Sequence, residues 1–149
     1  MAVATLLDVS QYITPGMSEI VQKTVEKKHT GFSYGGGGAM EDLLATPAYV
    51  NLLIHAAIET VDHKLPKGYI TVGRSMEFTH EAPTGTGMSV SIRATVAEVR
   101  GNRILFDIIA SDELGAIGTG RHERVVVNRD DWSKRVQERL QPVQRIDFK

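Results

Sequence analysis

The chain contains no cysteine among its 149 residues. Disulfide scaffolding, thiol nucleophiles and Cys-ligated zinc or iron–sulfur centres are excluded together. Net charge is equally scarce: 17 basic and 18 acidic side chains leave −1. No global field therefore favours nucleic acid or an anionic membrane surface. Long apolar runs are also missing, and nothing approaches the length of a membrane span. The N-terminal MAVATLLDVSQYI has no basic residue ahead of a short apolar run that soon meets Asp8. A cytoplasmic protein without a signal peptide is expected. The five histidines, at 29, 55, 63, 80 and 122, show no HxxxH or HxH pairing, so no metal site is expected. GxSxG occurs only as Gly31-Phe32-Ser33-Tyr34-Gly35, inside a glycine-rich loop and not between a strand and a helix, and no Gly-Lys-Ser/Thr follows the glycine run 35–38. Neither an elbow serine hydrolase nor a P-loop is supported.

What is present is an ordinary globular composition, 42% hydrophobic and 23% charged. One domain over 1–149 is expected, with a core at about 18–128 and a C-terminal helix at 129–140. SEIVQKTVEKK (18–28) alternates weakly, as an outer strand would. HTGFSYGGGGAM (29–40) reads as a loop. LATPAYVNLLIHAAI (44–58) is an apolar helix, with Thr46 expected as N-cap and Pro47 in the first helical position. Its expected core stripe is Val50, Leu53, Ile54, Ala57, Ile58 and Val61, and Leu65-Pro66-Lys67-Gly68 ends it. Strands at 68–82, 88–99, 104–111 and 116–128 follow, joined by short turns.

A helix this apolar needs cover, and a curved antiparallel sheet is the one element available to wrap it. The expected fold class is α+β, a hotdog architecture. The sheet leaves an open edge that a second copy would close, so a homodimer is expected, with a tetramer as the next assembly.

Several residues suit chemistry. The N-terminus of a helix concentrates N–H donors beside Thr46. His80 ends a strand, sharing a face with Met76 and Phe78 by period-two spacing with Ile70 and Val72, and titrates where a general base is useful. Gly73 interrupts a strongly β stretch, which marks a bulge or a close approach by another group. In GTGRHERVVV (118–127), Arg121 and Arg124 fall on opposite faces, with His122 beside Arg124. Either arginine could form a cross-strand ion pair or bind an anionic group.

Together, LATPAYVNLL, VGRSMEFTHEAPTGTGMSV and GTGRHERVVV resemble the hotdog-superfamily thioesterases, closest to the fluoroacetyl-CoA thioesterase-like group. The resemblance runs over roughly 20–140. It implies hydrolysis of a small or medium acyl thioester of coenzyme A or a carrier protein, with coenzyme A entering only as part of the substrate. It also implies a catalytic threonine at Thr46 and a catalytic histidine at His80, with the assisting glycine and arginine at Gly73 and Arg124. The family's helix glutamate has no counterpart. Its place holds Ile54, with His55 next to it, and both are expected to face substrate. A binder of acyl-CoA without hydrolysis is the alternative that this gap raises, since isoleucine cannot polarise a nucleophile.

Overall fold

The computed structural model describes residues 6–144; residues 1–5 and 145–149, including the start of the N-terminal stretch, lie outside the described residues. Five strands and two long helices make up the fold: β1 (Ser18–Thr24), α1 (Thr46–Val61), β2 (Tyr69–Phe78), β3 (Ser89–Arg100), β4 (Arg103–Asp112), β5 (Gly115–Asn128) and α2 (Arg129–Gln144). All strand pairs are antiparallel, in the order β1-β3-β4-β5-β2, so β1 and β2 are the two edges. β1 is mostly exposed, as its weak alternation implied. The β3–β4 hairpin turns through Gly101, whose φ of 59° is open to glycine without strain.

The sheet curls over α1 as expected. Period-two alternation puts Val90, Ile92, Ala94 and Val96 of β3 and Ile104, Phe106, Ile108 and Ala110 of β4 into the core. Each large side chain contributes about 1.5–3 kcal/mol by leaving water. The buried face of α1 differs from the expected stripe. It is formed by Tyr49, Leu52, Leu53, Ala56, Ala57, Thr60 and Val61, while Val50, Ile54 and Ile58 are half-buried at its margin. The rotation has a physical cause. Small Ala56 and Ala57 let the sheet approach, and Thr60 is tolerated inside because its hydroxyl donates to the Ala56 carbonyl at 2.7 Å.

A β-bulge between Gly73 and Ser75 shifts the register of β2 against β5. It also corrects the shared face expected for Ile70, Val72, Met76, Phe78 and His80. Before the bulge the core-facing residue is Thr71, which is buried while Ile70 and Val72 are not; after it the parity reverses, and Met76 pairs with buried His122. The strand ends at Phe78, yet Thr79 N–H and Glu81 N–H still donate to Thr119 and Ile117 carbonyls of β5, at 2.8 and 2.7 Å. His80 is thus held by the sheet just past its last regular pair.

Candidate active site

Thr46 is the first residue of α1, and Ala45, in extended conformation, occupies the cap position without a side-chain bond. The expected N-cap role of Thr46 is therefore corrected. Its hydroxyl instead meets His80 Nδ1 at 2.9 Å. The first bond of the helix runs from Tyr49 N–H to the Ala45 carbonyl. The N–H groups of Thr46 and Ala48 precede it, and Pro47 has none, so the positive end of α1 opens beside the Thr46–His80 pair.

The pair sits in an open recess of about 290 Å³, walled by Met40, Leu43, Leu44, Ala82 and Pro83. Glu81 is the one carboxylate in that lining. Thr46 is exposed, whereas His80 is partly buried and lies flat against the ring of Tyr49. Burial pushes the His80 imidazole below its ordinary value, so it is neutral at pH 7. Its Nε2 is sealed from solvent and has no hydrogen-bond partner among the described residues. Of its two ring nitrogens, Nδ1 is the one with a hydrogen-bond partner, the threonine hydroxyl.

Gly73 and Arg124 form a second group. They are paired in register, and a Cβ on Gly73 would lie 3.4 Å from Arg124 Nη1. Arg124 is buried: Nε donates to Thr71 Oγ1 at 2.7 Å, Nη2 to the Thr71 carbonyl at 3.0 Å, and Nη1 meets His122 Nε2 at 3.1 Å. Because a guanidinium only donates, His122 Nε2 must accept. Its Nδ1–H then donates to the Ser75 carbonyl at 2.7 Å. Burial lowers the pKa of His122, with the charge of Arg124 acting in the same direction. Thr71 in turn donates to Asp62, just past α1. Arg124, His122, Thr71 and Asp62 thus tie β5 and β2 to the C-terminal end of the helix, while Thr46 marks its other end. Sixteen residues at 1.5 Å rise separate the ends by about 24 Å.

The remaining candidates divide similarly. Arg121 is exposed on the opposite face, 3.6 Å from Asp107 across the β4–β5 pair, the ion-pair arrangement expected for one arginine. Ile54 is half-buried and His55 is exposed, its Nε2 3.1 Å from Glu59 Oε1. Neither lines the recess. Sequence reading missed Tyr49, Thr71 and Asp62, and gave His122 no role. Tyr49 could have been found from its spacing, three residues after Thr46 on the same helical turn. Among the described residues no cluster of three metal-binding side chains occurs, and no helix is long and apolar enough to cross a membrane.

The chain is similar to known proteins over most of its length. Residues 25–130 match the family model described as fluoroacetyl-CoA-specific thioesterase. The fluoroacetyl-CoA thioesterase of Streptantibioticus cattleyicolor is 29% identical over 98 residues, covering 66% of this chain and 70% of that protein. A hot-dog-like protein from Thermanaerovibrio acidaminovorans superposes with a TM-score of 0.82 at 34% identity, over 89% of this chain and 97% of the other. A mutant fluoroacetyl-CoA-specific thioesterase solved with fluoroacetate and CoA gives 0.74 at 26% identity, over 80% and 99%.

Proposed function

The chain belongs to the fluoroacetyl-CoA-specific thioesterase family and is an acyl-CoA thioester hydrolase, and from this we propose that it cleaves small or medium acyl thioesters through Thr46 and His80. The observation that carries the proposal is the 2.9 Å contact between Thr46 Oγ1 and His80 Nδ1 at the open end of α1. A carbonyl seated over that end receives the unbonded N–H groups of Thr46 and Ala48 on the oxygen that becomes negative in the transition state. Neutral His80 accepts a proton at Nδ1, either from the Thr46 hydroxyl as it attacks or from a water bonded to that hydroxyl. It returns the proton to the departing CoA sulfur. Water and thioester leave as carboxylic acid and CoA thiol. The apolar wall from Met40 to Pro83 and the modest recess favour a short apolar acyl chain. Coenzyme A is supported as the carrier by the related structure holding fluoroacetate and CoA.

One protomer offers only half of the residues expected at the site. β2 is an edge strand carrying Gly73 at its middle and running on to His80 past its end. If two copies pair antiparallel about a two-fold between Met76 and Glu77, Gly73 of one lies opposite His80 of its partner. The site then combines Thr46 and His80 from one copy with Gly73 and Arg124 from the other. The two N–H groups of Arg124 not engaged within the protomer would face that composite cleft.

The test is CoA release from a panel of acyl-CoAs, followed with a thiol reagent. Turnover highest on short chains supports the proposal. Saturable binding without thiol release across the panel would refute it.

A further inference from the structure

A histidine used as a base is commonly oriented by a hydrogen bond on its second ring nitrogen. His80 lacks one among the described residues, because Nε2 is buried and unpartnered. The helix carboxylate that the family resemblance implies is also absent, with Ile54 in its place. A single contact to Thr46 leaves the imidazole free to turn about the soft bond to its ring. Something else must fix its plane.

Tyr49 is placed to do so. It is completely buried, and its ring stacks on His80 with centroids 4.4 Å apart and planes 10° from parallel. Its hydroxyl donates to the Thr79 carbonyl at 2.8 Å, on the peptide that leads into His80. Thr46 and Tyr49 stand three residues apart, so one turn of α1 holds the histidine at its edge, its face and its backbone. β5 is shaped to allow this. A Cβ on Gly118 would collide with both the Thr79 carbonyl and the Tyr49 hydroxyl. The backbone of Gly118 is not left-handed, so it is space, not conformation, that requires glycine there. Burial, aided by the charge of Glu81, pushes the phenol up to about 12, so the hydroxyl remains a donor at neutral pH.

We propose that Tyr49 is a positioning residue, fixing the plane of the His80 ring and the peptide before it so that Nδ1 stays on the Thr46 hydroxyl. The proposal rests on the hydrolase reading of the same site, and its test separates the two. Tyr49→Phe keeps the stack and loses the anchor; Tyr49→Leu loses both. Ile92→Ala, a core truncation in β3, controls for stability. The account expects Tyr49→Leu to lose about tenfold in kcat with KM within about twofold, and Tyr49→Phe to lose less. Ile92→Ala keeps the wild-type kcat. In parallel, NMR of the ring follows His80 directly. Tyr49→Leu should broaden its signals and move its titration towards the ordinary histidine value, because the covering ring is gone. Wild-type kcat in folded Tyr49→Leu, or a kcat loss matched by Ile92→Ala, overturns the proposal. If the wild type releases no CoA from any thioester, the NMR comparison decides alone: unchanged His80 signals in Tyr49→Leu sink the positioning role, and changed ones uphold it without the hydrolase. Should the leucine variant not fold, Tyr49→Phe with both wild-type kcat and unchanged His80 signals gives the same refutation.

Discussion

Thr46 spends its hydroxyl on His80 instead of on the helix backbone, and this separates stability from chemistry at one residue. Thr46→Ala should change the unfolding free energy by less than about 0.5 kcal/mol, as at other exposed sites without a structural bond. Activity should nonetheless collapse. A loss of a kcal/mol or more in denaturant melts would restore the capping role. Sequence alone made a cap the natural reading, because Thr-Pro at a helix start is a strong local signal. A histidine 34 residues away then competes for the same oxygen, and local rules cannot register it. His80 adds a pH signature. Only its neutral form accepts a proton, and burial lowers its pKa below the ordinary 6.5. The acid limb of kcat/KM should therefore fall with a midpoint below 6.5, and a midpoint above it would contradict the burial argument.

At the scale of elements, β5 and β2 show what spacing can and cannot reveal. Opposite faces for Arg121 and Arg124 were legible, since β5 keeps strict alternation through this stretch. Their unequal roles were not, because burial depends on what lies beneath each face. Arg124 donates three hydrogen bonds, two to Thr71 of β2 and one to His122 of β5, and Thr71 carries the network on to Asp62 past α1, whereas Arg121 meets an exposed aspartate. Arg124→Ala should cost about 1.5–3 kcal/mol, and Arg121→Ala under about 1 kcal/mol, by chemical denaturation. Equal costs would show that the buried network contributes nothing. In β2, Gly73 was a legible bulge signal, but the sequence could not say that the bulge would exchange faces between Thr71 and Met76. The helix stripe was misplaced for a related reason. Apolar residues occur around most of α1, so composition alone does not select the face that small alanines let the sheet approach.

For the whole molecule, the antiparallel strands and the helix they cover were readable from the alternation of apolar residues and short turns; the sheet order was not, because β2 pairs with β5 and not with β3, its neighbour in sequence, and assembly is a property of edges rather than of composition. The open β2 edge, and the placing of Thr46 at one end of α1 with the Arg124 network tied to the other, both argue for a working dimer of 16.4 kDa chains. Complementation checks it. Co-assembled His80→Ala and Arg124→Lys chains should recover about a quarter of wild-type activity, since half of the dimers are mixed and each carries one intact composite site. No recovery from two individually impaired, folded variants would place all the residues in one protomer. Above assembly stands the chemistry at His80, and it is tested most directly by the rate of CoA release from a short acyl-CoA in His80→Ala. The account predicts a folded protein slower by about 10²–10⁴-fold, the usual contribution of a general base. Release at the wild-type rate would contradict it.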